Sequence, residues 1–406
     1  MLLAFQFPPF GSSSGVHRIL ATANHLAELG WDPIVIAAST NSYRVLDSLQ
    51  TQRVDPRVKV IRTYCKDLGR VKYLSQYLPG FLALPDSWNT WLFTAIPKLL
   101  ALIRQQTPVL LWSSYPIATT NLIAIIVQRM TGIPWVADLR DIMTDEYYPE
   151  PGLKRKLFKW IERQTAERAR LLIFTTPGAR EEYAHRYGYI NNSKFRVIEN
   201  GFDEGAFQCL QVRRNDFSGL PIRIVHSGIL YPSERDPTEL FAAVKQLVEE
   251  NLIQEGELEI LFRGTGHDKL WEGVLTEESL LGFIKLGKQL PYQQALEEIV
   301  TAEGLLLMQA DNCDSQIPGK VYEYLRSERP ILALVGLHGD TANLLRDVPQ
   351  VVLGDIHDAM DIKQKLVGFL SEIRSGVVKA TGDWRQYDRR IGVRKLAEYL
   401  EQIIPG

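Results

Sequence analysis

The chain has 406 residues, of which 45% are hydrophobic and 23% charged, a composition typical of a globular protein with two or three domains. Its 46 Lys and Arg are balanced by 48 Asp and Glu, so no overall positive excess is available for a nucleic-acid backbone and we expect no nucleic-acid partner. The three cysteines, Cys65, Cys209 and Cys313, are too far apart for a disulfide framework or a CxxC metal site, which indicates a reducing compartment.

The first residues predict a buried strand rather than a signal peptide. The apolar run at 1–7 lacks a basic flank and meets Pro8 and Pro9 almost at once. The longest apolar stretch, within 119–130, is far shorter than the roughly 20 residues of a membrane-spanning helix. We therefore expect a cytoplasmic protein, with at most a peripheral contact at the inner face of the membrane.

Short runs of Val, Ile and Leu alternate along the chain with segments of helical period. This alternation is typical of parallel β/α units. In the first helical segment, 15–29, the apolar residues form one stripe that ends at Gly30. The predicted strands form two series, at 1–7, 33–39, 58–63, 108–113, 133–138 and 170–175, and then at 222–227, 258–262, 283–286, 305–308, 331–335 and 351–353.

Two such series predict an α/β chain with two tandem Rossmann-like, doubly wound domains that face a cleft. The polar segment 205–221 has no strong period, which predicts a linker after a first domain at 1–204. Residues 1–204 carry 24 basic and 18 acidic side chains, and the rest carry 22 and 30. We expect halves of opposite charge to meet different partners.

A basic stretch between 154 and 170 supplies much of this positive excess. It has seven Lys or Arg, two Glu, and interleaved apolar residues such as Leu157 and Trp160. One interpretation is an interfacial helix, or a site for an anionic lipid-linked acceptor, at an anionic membrane. The other is a solvated amphipathic helix packed on its own sheet, a pattern that core helices also show.

The loop between the first strand and the first helix is rich in small residues. Gly11, Ser12, Ser13, Ser14 and Gly15 let a ligand approach the backbone, and the N–H groups at the helix start favour an anion such as a phosphate. A plain strand-to-helix turn is the alternative. The loop is not a GxGxxG fingerprint and no acidic residue follows at the expected strand end, which disfavours nicotinamide chemistry.

Charged residues directly follow the apolar run 133–136. Asp138, Arg140 and Asp141 would lie at the carboxyl end of a parallel strand, where open α/β sheets bind ligands. The two carboxylates could orient or deprotonate an acceptor hydroxyl, so we assign a catalytic role to Asp138 and Asp141. A structural salt bridge or a helix cap is the alternative.

A phosphate contact is predicted after the strand at 222–227. The segment continues through Gly228 into a loop that carries Arg235. A guanidinium in such a loop could neutralise a phosphate. The alternative is a surface Arg that pairs with Glu234 or Asp236.

The segment 314–325 is the most informative motif. Pro318 fits the first turn of a helix, so the N–H groups near Gly319 and Lys320 would point outward together with the lysine charge. A diphosphate suits that position. Glu323 lies one turn further and could accept hydrogen bonds from ribose hydroxyls, whereas a capped helix with an exposed Glu is the alternative.

These four motifs, in this order and spacing, resemble the family-4 retaining glycosyltransferases of the glycosyltransferase-B fold, in their bacterial cell-surface polysaccharide branch. The resemblance extends over nearly the whole chain, through a Pro-Pro…Gly opening, DLRD, a segment at 200–203, HSGILY…RDP and IPGKVYEYL. It implies a UDP- or GDP-sugar donor held by the second domain, with no other cofactor and no metal. It also implies a glycan or lipid-linked acceptor held by the first domain, and front-face transfer of a hexosyl unit with retention.

The resemblance also implies roles for single residues. The loop from Gly11 to Gly15 and the strand-ending Gly228 fall at the donor, and Arg235 stands where a diphosphate-binding Lys is usual. Arg235 and Lys320 would stabilise the leaving diphosphate, and Glu323 matches the second Glu of an E-x7-E motif, expected at the ribose. The helical pattern at 384–406 resembles a C-terminal helix that returns to the first domain, which leaves 222–383 as the second domain.

The chain departs from the family pattern at three positions. Ser315 stands where the first Glu of the E-x7-E motif belongs, Ile229 replaces a common Arg, and Arg140 aligns with an acceptor-side histidine but cannot act as a base. Two other interpretations therefore remain open. They are a nucleotide-sugar epimerase on the same fold and a catalytically degenerate protein that binds sugar nucleotide or a partner. Base selection is expected to rest on backbone contacts near 287–292.

Overall fold

The apolar runs of the sequence form two sheets in which all neighbouring strands are parallel. The computed structural model describes residues 1–11, 14–70, 83–208, 210, 221–376 and 381–404. The chain divides into two units, the first made of Met1–Asn200 with Arg389–Gly406 and the second of Gly201–Asp388. The helices are α1 (Ser14–Glu28), α2 (Leu92–Gln106), α3 (Ala118–Thr131), α4 (Leu153–Arg168), α5 (Pro177–Arg186), α6 (Glu204–Gln208), α7 (Thr238–Glu249), α8 (Asp268–Glu277), α9 (Tyr292–Thr301), α10 (Lys320–Ser327), α11 (Asp340–Leu345), α12 (Ala359–Arg374) and α13 (Arg389–Ile403).

The first unit has a seven-stranded sheet in the order β3-β2-β1-β4-β5-β6-β7. Its strands are β1 (Leu2–Leu3), β2 (Ile34–Ala38), β3 (Lys59–Thr63), β4 (Leu111–Ser114), β5 (Trp135–Leu139), β6 (Leu171–Phe174) and β7 (Phe195–Val197). Leu2 of β1 pairs with Val35 on one side and with Trp112 on the other. The direction of winding reverses between β1 and β4, the position at which doubly wound sheets bind ligands outside their carboxyl ends.

Helices cover both faces of this sheet, because its strands are apolar on both sides. Helices α1 and α13 pack together and bury one face, where Leu2, Val35 and Trp112 lie. The other face is buried under α2 to α5 in a core that includes Trp91 and Trp135. The residues that α13 contributes to the core of the first unit are Val393, Leu396, Ala397 and Leu400.

The second unit has a six-stranded sheet in the order β10-β9-β8-β11-β12-β13, which reverses between β8 and β11. Its strands are β8 (Ile222–Ser227), β9 (Leu258–Arg263), β10 (Ile284–Gly287), β11 (Gly304–Gln309), β12 (Ile331–Val335) and β13 (Val351–Asp355). Helices α7, α8 and α12 cover one face, and α9, α10 and α11 cover the other. The carboxyl end of β8 therefore lies at a switch point, next to the start of α10.

The α/β class with two doubly wound sheets is confirmed, and each predicted strand is present. β7 was not predicted, since three residues are too few to show a pattern. Part of the predicted linker is ordered: α6 forms within it because Phe207 packs edge-on against Phe202. The remainder of that linker at 209 and 211–220 lies outside the described residues.

The limits of the units differ by a few residues from the predicted ones. The chain leaves the first unit at Asn200 rather than at 204 and rejoins it at Arg389 rather than at 384. Trp384 belongs to the second unit, where its ring packs on Phe202 and on the guanidinium of Arg326. These aromatic and cation–π contacts explain why the returning segment starts later than its helical period indicated.

Candidate functional site

The side chain of Lys320 lies at the carboxyl end of β8. Lys320 is the first residue of α10, and its Nζ is 3.1 Å from Nε2 of His226. The helix starts two residues after Pro318, with Gly319 as its cap, so Pro318 precedes the first turn instead of lying in it. The predicted lysine is thus placed at the switch point of the second sheet.

The ring of His226 is completely buried in β8. Its Nδ1 is 3.0 Å from the carbonyl oxygen of Leu306, which can only accept a hydrogen bond, so Nδ1 carries the proton. Nε2 is then an acceptor and the Lys320 ammonium donates to it. Sequence reasoning assigned no role to His226, because a histidine within an apolar strand gives no sign of its partner.

Gly228 gives the Lys320 ammonium the space that it occupies. A Cβ at Gly228 would lie 2.9 Å from Nζ of Lys320, and its φ of +129° is one that other residues rarely adopt. The N–H of Gly228 donates to the carbonyl of Arg263 at 2.8 Å. Glycine is therefore required at position 228 for two reasons. A side chain would collide with the Lys320 ammonium, and the turn needs a φ that other residues rarely adopt.

Arg235 adds a second cation to this corner. Its Nη1 donates to the carbonyl of Ile229 at 3.2 Å, and Glu234 is 3.9 Å from Nη2, a long and weak ion pair. Its Nε is buried and has no hydrogen-bond acceptor within the described part of the chain. A buried donor without a partner is costly, which points to an anionic ligand.

Glu323 is positioned by Tyr292, the first residue of α9. The hydroxyl of Tyr292 donates to Oε1 of Glu323 at 3.0 Å. The structure thus brings the start of α9, where base contacts were expected, next to the carboxylate assigned to the ribose. Tyr292 itself was not predicted as a site residue.

Burial and like charges weaken the basicity of both groups in the Lys320–His226 pair. Burial lowers the pKa of Lys320 well below the usual lysine value, Arg235 lowers it further and Glu323 opposes the change. Burial, Lys320 and Arg235 likewise lower the pKa of His226 well below its usual value, so the ring is neutral at physiological pH. We call Lys320, His226, Gly228 and Arg235 the cation corner.

Ser315 stands where the family that the sequence resembles has a Glu, and the residues just before it carry two other carboxylates, those of Asp311 and Asp314. Asp314 precedes Ser315, and burial, followed by Asp311, raises the pKa of Asp314 while His338 lowers it. The carboxylate oxygens of Asp311 and Asp314 leave no room for a side chain at Gly336, and those of Asp314 leave none at Gly339. In the described part of the chain, no group of three or more His, Cys, Asp or Glu residues is arranged to hold a metal ion.

In the first unit, Asp138 of β5 is bound by Arg18 of α1. Arg18 donates from Nε and Nη2 to the two carboxylate oxygens at 3.1 Å each, and from Nη1 to the carbonyl of Glu199 at 2.9 Å. Asp138 is only 1% exposed. This bidentate contact is the salt-bridge alternative considered for Asp138, and it fixes α1 to the end of β5.

Arg140 lies directly on Gly15 in the first turn of α1. A Cβ at Gly15 would be 1.2 Å from Nη1 of Arg140, so no other residue fits without displacing the guanidinium. Nε of Arg140 donates to the carbonyl of Tyr115 at 2.6 Å. Burial lowers the pKa of Arg140, while Asp141 and Asp138 oppose the change. The guanidinium thus adds positive charge at the N-terminal end of α1.

Asp141 is half-buried after β5 and is the less constrained of the two predicted carboxylates. Burial raises the pKa of Asp141, against the opposing effect of Arg140. Gly11 packs against Asp47, and its N–H donates to the carbonyl of Val45 at 3.1 Å, so that N–H is already used. Ser12 and Ser13 lie outside the described residues, and Ser14 is described only as the start of α1.

The basic stretch predicted at 154–170 forms α4 and borders a cavity of about 660 Å³. Phe158 and Ile161 are buried in the core, so the apolar side of α4 faces its own unit. The floor of the cavity includes the buried Glu162, whose carboxylate accepts from Thr144 and Tyr187 at 2.8 Å each. The basic side chains that line the cavity are Arg155, Lys156, Lys159, Arg163 and Arg186.

No helix in the described ranges combines the length and the apolar character needed to cross a bilayer.

Comparison with known proteins found one family model and a set of solved structures that are similar to this chain. Residues 15–201, most of the first unit, match the family model of the Glycosyl transferase 4-like domain. No curated protein sequence matches the chain. Among solved structures, the chain is similar to sucrose-phosphate synthase from Thermosynechococcus elongatus, with 14% identity over 99% of this chain and 98% of the other and a TM-score of 0.68.

Two further solved structures cover nearly the full length. The Anabaena protein Alr3699/HepE, in complex with UDP and glucose, has 13% identity over 99% of this chain and 100% of its own, with a TM-score of 0.66. A putative UDP-N-acetylglucosamine 2-epimerase from Listeria monocytogenes has 11% identity over 99% and 95%, with a TM-score of 0.61. The protein therefore has the glycosyltransferase-B fold, and its first unit is similar to the Glycosyl transferase 4-like domain.

Proposed function

We propose that the protein is a retaining glycosyltransferase that moves a hexosyl unit from a UDP- or GDP-sugar to a glycan or lipid-linked acceptor in polysaccharide biosynthesis. The cation corner is the observation that carries this proposal. It holds two cations and a buried donor without an acceptor at the carboxyl end of a sheet, where a diphosphate would supply the missing negative charge. Relatives of the same fold that contain UDP, such as Alr3699/HepE, support the nucleotide.

The chemistry would proceed on one face of the sugar. The acceptor oxygen bonds to the anomeric carbon while the bond from that carbon to the diphosphate oxygen breaks, and the acceptor proton passes to the departing phosphate. Lys320 and Arg235 stabilise the charge that develops on the diphosphate, and Glu323, held by Tyr292, binds the ribose hydroxyls. Retention of configuration follows from attack on the side that the leaving group vacates.

We assign the acceptor to the first unit. Asp141, whose pKa is raised by burial, is the carboxylate proposed to contact the acceptor hydroxyl. Asp138 supports it indirectly, since its contact with Arg18 fixes α1 to the end of β5. The Gly15–Arg140 contact adds positive charge for an acceptor or donor phosphate at the start of α1.

We further propose that an anionic lipid-linked acceptor approaches the basic side of α4 at the cytoplasmic face of a membrane. Lys156 and Lys159 are exposed on this side and border the cavity. The cytoplasmic leaflet is negatively charged, and it attracts such lysines.

The test is binding and turnover with a panel of UDP-, GDP- and ADP-sugars. We expect Lys320→Met and Glu323→Ala each to weaken nucleotide-sugar binding at least about tenfold, the scale of a lost charged hydrogen bond. Lys245→Met is the matched control, because Lys245 makes only an exposed ion pair with Glu278 in the same unit.

Three results would contradict parts of this assignment. Unchanged binding in both variants would remove the proposed site. Release of an altered nucleotide sugar without any acceptor would identify an epimerase, the activity after which the Listeria relative is named. Binding with neither transfer nor slow donor hydrolysis would identify a degenerate binding protein, in line with Ser315 in place of the family Glu.

A further inference from the structure

The orientation of the His226 ring is fixed from two sides. Nδ1 donates to the carbonyl of Leu306, and the ring lies 5.7 Å from the ring of Phe262, centroid to centroid. Since His226 is completely buried, the ring has no room to turn. Nε2 therefore presents a lone pair at one place, the position of the Lys320 ammonium.

The Lys320 ammonium is held by a neutral group. Within the described residues, the ammonium donates a hydrogen bond to Nε2 of His226, and no carboxylate oxygen lies within 4.0 Å of it. An ammonium has three N–H donors, so two remain for a ligand. A neutral acceptor fixes the direction of the side chain without cancelling its charge.

The charges that face Lys320 come from several elements. Arg235, ahead of α7, disfavours the charged ammonium, and Glu323, on α10 itself, favours it. The hydroxyl of Tyr324, also on α10, accepts from the N–H of Ser227 at the end of β8. His226 in β8 is the remaining titratable neighbour, and its ring is neutral.

We infer that His226 is a positioning residue whose neutral ring holds the Lys320 ammonium in place for the donor diphosphate, and that diphosphate binding is accompanied by proton uptake at Lys320. This inference rests on the proposed function, because it takes a nucleoside diphosphate as the ligand of the cation corner.

The proton uptake follows from the balance of charge. Without ligand, burial and Arg235 lower the pKa of Lys320 well below its usual value. A bound diphosphate favours the charged form and raises that pKa toward its usual value. The complex then binds more protons than the free protein, so affinity for UDP falls as pH rises through the interval between the two pKa values.

The experiment is calorimetric titration of the full chain with UDP between pH 8.0 and 9.5, in Tris and in Bicine. The phosphate groups of UDP are fully ionised there, since a second phosphate pKa is about 6. The two buffers differ in ionisation enthalpy, so the heat difference counts protons. We expect uptake of up to about one proton per UDP in the wild type and none in Lys320→Met.

Three substitutions at His226 separate positioning from mere packing. His226→Gln can place an amide oxygen near the position of Nε2, and we expect binding within about threefold of wild type. His226→Asn retains a donor near Nδ1 but loses the contact with Lys320, and His226→Phe loses both. For these two we expect affinity for UDP to fall about tenfold or more, the effect of a lost hydrogen bond to a charged group.

The outcomes distinguish this inference from the proposed function. If His226→Asn and His226→Phe bind UDP as the wild type does while Lys320→Met does not, positioning by His226 is wrong and the proposed function stands. If Lys320→Met takes up as many protons as the wild type, proton uptake at Lys320 is wrong. If the wild type binds neither UDP nor GDP, both fail. Thermal unfolding shows whether each variant is folded. If His226→Phe does not fold, the comparison of His226→Gln with His226→Asn tests whether His226 positions Lys320.

Discussion

At the scale of single residues, two cations rest against glycines, one in each unit. The guanidinium of Arg140 occupies the space beside Gly15, and the ammonium of Lys320 occupies the space beside Gly228. Glycine-rich turns are commonly explained by the close approach of a phosphate to the backbone. Here the missing side chains make room for the cations that would bind it.

Substitution of Gly15 tests the first of these contacts. We expect Gly15→Ala to displace Arg140 and break its hydrogen bond to Tyr115, at a cost of about 1–3 kcal/mol typical of overpacking. Thermal unfolding followed by circular dichroism measures the effect on the first unit. Gly273→Ala, a change in an exposed helical position with open space around it, should be neutral or slightly stabilising. Equal stability of the two variants would contradict the contact.

Some residues of the candidate site could be predicted from the sequence and others could not. Arg235 was predicted from its place in a loop after a strand, and Lys320 and Glu323 were predicted from the start and the first turn of a helix. All three also match motifs of the family that the sequence resembles. His226 and Tyr292 were not predicted, since each acts on a residue 94 or 31 positions away. The role of Asp138 likewise depends on Arg18, 120 positions earlier, whose side chain reaches it only when α1 packs on the sheet.

At the scale of elements, α4 has a buried apolar side and an exposed basic side. Tyr148 and the aliphatic Leu153 are exposed near its start, and the ammonium of Lys154 lies 5.1 Å from the ring of Tyr148. An exposed combination of aromatic, aliphatic and basic side chains is typical of contact with a bilayer surface. The buried apolar side of α4 agrees with a helix packed on its own sheet. Its exposed basic side supports our proposal of a contact with an anionic membrane.

Charge reversal on α4 tests that proposal. We expect sedimenting vesicles that contain phosphatidylglycerol to retain the wild type at low salt, and Lys156→Glu/Lys159→Glu to reduce retention at least about tenfold, since each lysine near an anionic surface contributes about 1 kcal/mol. Lys98→Glu, an exposed lysine on α2 of the same unit, is the control. No retention of the wild type, or equal loss in the control, would contradict a membrane role for this side of α4.

Strand bounds were predicted correctly where complete burial makes every residue of the strand apolar. β12 is buried along its whole length and is an uninterrupted apolar run, so its bounds agree with the predicted ones to the residue. β1 is shorter than its apolar run, with ladder pairs only at Leu2 and Leu3. The apolar run extends further because Phe5 and Phe7 are buried in loops, not in the ladder.

At the scale of the molecule, one unit is continuous in the chain and the other is not. Gly201–Asp388 forms the second unit without interruption, whereas the first unit needs Arg389–Gly406 to cover α1. The larger apolar side chains of α13, such as Leu396 and Leu400, each contribute about 1.5–3 kcal/mol by burial. The first unit therefore loses several of the contacts of one sheet face when α13 is removed.

Fragments test this asymmetry. We expect residues 201–388 alone to unfold cooperatively, and residues 1–200 alone to be destabilised or unfolded because the face of α1 and the sheet under α13 is exposed. Thermal melts of the two fragments and of the full chain provide the measurement. Addition of a peptide of residues 389–404 to the 1–200 fragment should restore part of its stability. A fragment 1–200 as stable as the first unit of the full chain would show that α13 is dispensable.

The place of α13 in the chain has a consequence for synthesis. A ribosome that adds about 5–20 residues per second needs roughly 10–40 s to make the second unit after Asn200 has left the peptidyl-transferase centre. During that time the partner of α1 does not yet exist, although the second unit can fold as it emerges. The nascent first unit thus carries an uncovered apolar face, a surface on which chaperones act, until the last helix is translated.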